Sequence, residues 1–164
     1  MAFTLLKPDG IDLSQTFDFT GSVSGAGGGK VLQVIQAEDQ TELSLSSNSY
    51  TDMGLSASIT PSATSSKVLA FWSVHSRFRV STAGYGARLV RGSTNVWTST
   101  RDYYVYDDFD DNRRLTTFTY LDSPSTTSAT TYKTQMSNGN NTANVGTQGT
   151  GGETSIITLM EISA

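Results

Sequence analysis

The chain has 164 residues and a mass of 17.6 kDa, a length that holds one domain, or one domain with an arm, and fits a two-domain enzyme poorly. Ser and Thr together number 47, Gly 15 and Pro 3, and charged residues make up 16%, yet 36% hydrophobic and 10% aromatic content is enough for a core and excludes wholesale disorder. The net charge of −4 argues against a nucleic-acid partner, the absence of Cys removes disulfides, thiol chemistry and Cys-ligated zinc, and a single histidine, His75, removes multi-His metal sites.

Residues 1–29 read as an attachment arm with a Gly-rich hinge. Apolar side chains recur at Phe3, Leu5, Leu6, Ile11, Leu13, Phe17 and Phe19, interrupted by Lys7-Pro8-Asp9-Gly10 and closed by Gly25-Ala26-Gly27-Gly28-Gly29. Pro-Asp-Gly is a turn signal, Pro fixing φ and Gly supplying positive φ, and the glycine cluster is too flexible for a strand interior. Such a segment cannot build a core alone, so its apolar residues call for a neighbouring surface. The start Met1–Pro8 lacks the basic and long apolar regions of a signal peptide, and no apolar run approaches the roughly eighteen residues of a membrane span. Synthesis in a cytosol, with no membrane insertion, is the expectation.

From Lys30 to Ala164 the pattern is that of short strands. Val31–Ala37 comes first, then Asp52–Thr60, with Met53, Leu55, Ala57 and Ile59 alternating. The strongest alternation is Val68 to Val80, where Val68, Ala70, Trp72 and Val74 share one face, while Leu69 and Phe71 begin the other before it turns polar at Ser73, His75, Arg77 and Arg79. Tyr85–Arg91, Thr94–Thr98, Arg114–Leu121, Ala129–Met136 and Thr154–Ile162 complete eight segments, parted by turns such as Arg91-Gly92-Ser93. No stretch of a dozen residues carries helical periodicity. Eight antiparallel strands in this length predict an all-β, jelly-roll-like sandwich preceded by an extended N-terminal arm. Since the last segment runs nearly to Ala164, any tether is expected at the N-terminus.

Chemical motifs are sparse. Ser24-Gly-Ala-Gly-Gly-Gly-Lys30-Val31 fails as a phosphate loop, with Ser24 where Gly belongs and Val31 where Ser or Thr would hold magnesium. The acidic run at Asp107, Asp108, Asp110 and Asp111 lacks EF-hand spacing and reads as a solvated loop. With Tyr103, Tyr104, Tyr106 and Phe109 it forms a candidate partner or receptor loop, because loop tyrosines supply stiff amphipathic contact area. His75 has no nearby acid or nucleophile motif, and Glu38, Asp39, Glu42, Glu153 and Glu161 show no glycosidase spacing. Arg77, Arg79, Arg88 and Arg91 are expected on two neighbouring strands. No catalytic residue, metal site or cofactor is assigned.

Several segments carry a family likeness: Gly29-Lys-Val-Leu-Gln-Val-Ile-Gln36, Ser49-Tyr-Thr-Asp-Met-Gly-Leu-Ser56, Leu89-Val-Arg-Gly-Ser-Thr94, Tyr120-Leu-Asp-Ser-Pro124 and Thr158-Leu-Met-Glu-Ile162. Over most of residues 29–163 the chain resembles the β-rich knob domain of tail-fibre and virion-surface proteins of aquatic tailed phages, cyanophages among them. That resemblance implies a non-enzymatic homotrimer on the virion surface, made in the host bacterial cytoplasm. Its partners would be further copies of itself and a major capsid protein or tail component, with free loops open to a host glycan or protein. The sequence departs from long fibres in having no shaft, heptads or repeats between arm and knob. Capsid decoration is therefore the first expectation and a short receptor-binding tail fibre the alternative.

Overall fold

A computed structural model describes residues 29–78, 82–99, 103–106, 112–138, 145–147 and 153–164; the arm Met1–Gly28 lies outside the described residues. Eleven strands occur among the described residues, in chain order: β1 (Val31–Asp39), β2 (Leu43–Leu45), β3 (Thr51–Ile59), β4 (Lys67–Phe78), β5 (Thr82–Arg91), β6 (Thr94–Thr98), β7 (Tyr103–Tyr106), β8 (Asn112–Asp122), β9 (Thr130–Asn138), β10 (Val145–Thr147) and β11 (Ser155–Ile162). No helix occurs among the described residues.

The strands form two antiparallel sheets. In the first, β1 pairs with β11, β11 with β4, and β4 with β8. Short β2 and β10 extend the lines of β1 and β11, since β10 pairs with both β4 and β2. In the second, β3 pairs with β9, β9 with β5, and β5 with β6 and β7 along one edge. Merging the broken strands leaves two four-strand layers, β1/2–β11/10–β4–β8 against β3–β9–β5–β6/7. Apart from the β5–β6 hairpin, which stays within the second layer, successive merged strands swap layers, as in the double Greek key of a jelly roll. The eight predicted strand segments all appear, and the three short additions are β2, β7 and β10.

The reason is legible in the periodicity. In β3, Met53, Leu55, Ala57 and Ile59 point inward and are buried, as are Val68, Ala70, Trp72 and Val74 of β4 and Ile157 and Leu159 of β11. Trp72, Trp97 and Phe118 meet as a triangle with ring centroids 5.3–5.4 Å apart, joining β6 of the second sheet to β4 and β8 of the first. Tilted and offset contacts of this kind add to the burial of the rings themselves.

Polar ties close the sandwich where apolar packing ends. Asp122 of β8 accepts from Arg91 Nη1 of β5 at 2.7 Å and from Tyr132 Oη of β9 at 2.6 Å, bridging the layers. Burial, then the facing Asp122 carboxylate, pushes the Tyr132 phenol above its usual range. A few residues along, the Tyr85 hydroxyl donates to Thr116 Oγ1 at 2.6 Å, a second bridge between β5 and β8. At the corner where β1 begins, Glu161 is 1% exposed and gathers donors: Gln33 Nε2 at 2.6 Å, and the Ser62 amide and hydroxyl each at 2.7 Å. These neutral donors, Gln33 first and Ser62 next, hold its carboxyl at about 2 despite burial. Buried Asn138 ties the end of β9 to the end of β2 and the segment after it, its backbone amide donating to Ser47 O and its side-chain nitrogen to Leu45 O.

Candidate interaction surface

The two layers differ on their outward faces, and that difference locates the site. On β3 and β9 the outer residues are Ser56, Ser58, Thr131, Lys133 and Gln135, a polar surface. There Asp52 accepts from Lys133 at 2.7 Å and Gln135 at 2.6 Å, and Lys133, then Gln135, draws its carboxyl below the ordinary value. This face is built for water. A shallow hollow lined by Asp52, Gly54, Ser56 and Lys133 sits in it, at about 130 Å³.

The first sheet is the opposite case. Every exposed large hydrophobic residue among the described residues, namely Val31, Leu32, Val34, Phe71, Leu115 and Leu121, belongs to β1, β4 or β8 of this one layer. Register explains the grouping. Val34 faces Met160, Met160 faces Leu69, and Leu69 faces Leu121, so four strands contribute one apolar row straight across the sheet. The exposures of Val34 at 53% and Leu121 at 47% show that nothing described covers its two ends. The next row, Gln36, Thr158, Phe71 and Thr119, is mixed, and a hollow of about 150 Å³ opens there between Phe71, Leu115 and Ile156. Among charged residues of this sheet, Lys67 faces Ile162 one row beyond the apolar row, exposed Glu38 faces Ile156, and Arg113, which pairs with Glu153 at 3.4 Å, faces Arg77 at the far end of β8.

Strands at ~4.8 Å spacing make this apolar row roughly 20 Å long, with Phe71 and Leu115 as apolar residues among polar ones beyond it. Exposed apolar rows on an outer sheet face are a feature of contact surfaces. Ordinary outward residues of an antiparallel sheet are polar, as the second layer demonstrates, so the row has a cost in water that contact with a partner would relieve.

The sequence-predicted site residues fall differently. Phe3, Leu5, Leu6, Ile11, Leu13, Phe17 and Phe19 lie outside the described residues, as do Asp107, Asp108 and Phe109. Tyr103, Tyr104 and Tyr106 belong to β7, whose backbone pairs with Thr82–Tyr85 of β5, so this part of the expected loop is a strand. The expected arginine cluster is not formed by adjacent strands: Arg77 is on β4 in the first sheet, Arg88 and Arg91 on β5 in the second. The chain crosses between layers from β4 to β5, and Arg79 lies outside the described residues. Arg88 instead lies 3.7 Å from the Tyr50 ring centre, and Arg91 turns inward to Asp122. His75 sits on the outer face opposite Leu115, with its amide donating to Ser155 Oγ at 3.1 Å. Among the described residues no group of three or more His, Asp or Glu side chains gathers as a metal site.

What sequence reading missed is the second face of Lys67–Phe78 and its neighbours. Leu69 and Phe71 were legible as apolar outward residues, but their alignment with Leu121, Met160 and Val34 depends on register between distant segments, which periodicity within one strand does not carry.

No protein-family model matches the chain, and no characterised protein matches it by sequence. Among solved structures it is similar to a subunit of the disulfide-linked pili of Bacillus endospore appendages, at 10% identity and TM-score 0.36, covering 88% of this chain and 100% of that one. It is also similar to dimeric latent PorU of Porphyromonas gingivalis, at 7% identity and TM-score 0.39, covering 85% of this chain and 14% of that one. A third is a protein of the infectious bursal disease virus Gx strain, at 14% identity and TM-score 0.38, covering 79% of this chain and 38% of that one. The chain therefore spans only a minor part of the PorU and viral chains it is similar to.

Proposed function

We propose that this protein is a non-enzymatic structural subunit of a tailed-phage virion, a surface knob attached to the particle through the arm of residues 1–29 and working as capsid decoration. The observation that carries the reading is the pairing of a jelly roll with one polar outer face and one outer face crossed by an exposed apolar row. A sandwich of this kind is suited to lie against other protein on one side and solvent on the other. The phage-knob resemblance of Gly29–Ile162 supplies the setting, and the apolar run from Phe3 to Phe19 supplies an attachment element.

Association of several copies, three in the family it resembles, makes weak docking firm, because arms linked through one assembly act at high effective concentration. Charge helps little and hinders little. With only 16% charged residues and −4 per chain, many copies can crowd on a surface without strong repulsion.

The test is location and copy number on purified particles by cryo-imaging. Many copies spread over the capsid lattice are expected. A few copies confined to the tail would overturn decoration and favour the short tail fibre, a reading motivated by the aromatic and acidic stretch Tyr103–Asp111. In that event antibodies against the knob should block adsorption to host cells.

A further inference from the structure

A sheet edge presents a row of unpaired backbone groups, and proteins blunt it with breaks, bulges, glycine or charge. Three of the four edges formed by the described strands are blunted in this way. β1 has a register shift between Val31 and Gln33 and ends on Glu38 and Asp39, and β3 has a shift between Asp52 and Ser56 around Gly54. The far edge of the second sheet is split into β6 and β7, five and four residues long. β8 is the exception. Its eleven residues pair with β4 without a shift, and among the described residues no strand pairs with its other side. Its segment Leu115-Thr-Thr-Phe-Thr-Tyr-Leu121 contains no charge, proline or glycine and is rich in residues that favour strands. Leu115, at 57%, is the most exposed large apolar residue among those described, and Leu121 shares its outward face.

The same segment reads nearly alike in both directions about Phe118: Thr117 and Thr119 flank it, and Leu115 and Leu121 close the two ends. We propose that β8 pairs antiparallel with β8 of a second copy about a two-fold axis at Phe118, making one sheet continuous across two molecules. Leu115 then lies opposite Leu121 of the other copy, Thr117 opposite Thr119, and Thr116 opposite Tyr120. The one charged pair of the register, Arg114 opposite Asp122, is of unlike sign, so no repulsion opposes it.

Register singles out this arrangement. Residues of one face must meet residues of the same face, so the strands can slide only in steps of two. One step one way sets Leu115 against Thr119 and Leu121 against Arg113, and one step the other way sets Leu121 against Thr117 and Leu115 against Ser123. Only the pairing centred on Phe118 covers both leucines with apolar surface, and symmetry does so twice. On the outer face the row Val34–Met160–Leu69–Leu121 then runs on to Leu115 of the second copy, each molecule closing the open end of the other's row. The contact joins copies in pairs, apart from the three-copy association that the family resemblance implies. It is built from the sandwich alone and does not rest on the virion reading, whose test by particle imaging stands separately.

The chain has no cysteine, so introduced thiols report the register directly. Full-length chains carrying Leu115→Cys and full-length chains carrying Leu121→Cys are treated with a short bismaleimide, each alone and as an equal mixture. Crosslinked pairs are expected in the mixture and not in either variant alone, where like positions would stand six residues, about 20 Å, apart. No crosslinking in the mixture, or yields in a single variant that match it, would overturn the proposal. Sedimentation equilibrium reads the strength of the contact. The unaltered chain should form dimers, and Leu115→Glu or Leu121→Lys should each raise the dissociation constant about tenfold at unchanged circular dichroism. The double variant Leu115→Glu/Leu121→Lys, in which each introduced carboxylate faces an introduced amine of the other copy, should recover most of that loss. A chain that stays monomeric, or an assembly whose mass ignores both single substitutions, would overturn the pairing. Should a charged variant misfold, the cysteine chains decide alone, both positions being exposed.

Discussion

Glu161 shows how a single buried carboxylate can be held without a cation. Its oxygens accept from Gln33 and twice from Ser62, and its carboxyl titrates at about 2 against an ordinary 4.5. A folded value below the unfolded one means that the contribution is fully present above the ordinary carboxylate range and is lost as pH falls from about 4.5 towards 2. Glu161→Gln turns an acceptor towards donors and should cost about 1–3 kcal/mol at neutral pH. Thermal melts should show this deficit shrinking near pH 2, and a pH-independent deficit would contradict the clamp. Asp122 is the companion case. Asp122→Ala strands the Arg91 guanidinium and the Tyr132 hydroxyl and should cost about 2–3 kcal/mol, the partial exposure of Arg91 holding the figure below that of a fully buried pair. Tyr132→Phe removes one bond and should cost about 1 kcal/mol. Urea midpoints in the reverse order would show that the carboxylate is held mainly by water.

At the scale of elements, β3 carries a strained position that alternation alone did not reveal. Gly54 has φ of +81°, at a register shift between Asp52 and Ser56, and a Cβ there would lie 2.9 Å from Asp39 Oδ2. Gly54→Ala should therefore lower stability by about 1–2 kcal/mol, read as a drop in melting temperature. Asp39→Ala would relieve the contact and leave the backbone penalty, so the double variant should recover only part of the loss. The eight main strands were legible because each buries one face and alternates accordingly, as Met53 to Ile59 does. β2 and β10 were not, being three residues each, one of them with a central glycine. β7 was hidden by its composition: tyrosines beside a run of aspartates read as a loop, although the first four residues of that run pair with β5. The Leu121-Asp-Ser-Pro124 motif marks a framework position, since Asp122 holds the layers and Arg91 Nη1 also reaches Ser123 O at 3.2 Å.

On the scale of the whole molecule, two faces of contrasting chemistry organise the expected behaviour. The interaction surface was only half visible beforehand, because it is a product of pairing between segments as far apart as Val34 and Met160. The two sheets of the described residues are closed by strands within 31–162. Removing residues 2–28 should therefore leave a β-rich, cooperatively unfolding domain that no longer joins particles. Circular dichroism and co-sedimentation with particles test the two halves of that statement, and an unfolded product would place the arm inside the core.

The pairing of β1 with β11 also governs how the protein would bear a mechanical load. β1 is an edge strand, and its ladder to β11 starts at Val31–Ile162, next to the arm, and ends at Asp39–Ser155. Tension entering through the arm along the strand axis would load the rungs of that ladder together, whereas tension directed away from the sheet edge would open them one after another from Val31. Resistance to detachment is thus a matter of direction, and a subunit dragged sideways would begin to yield at β1 while the layer of β3, β9 and β5 stayed intact.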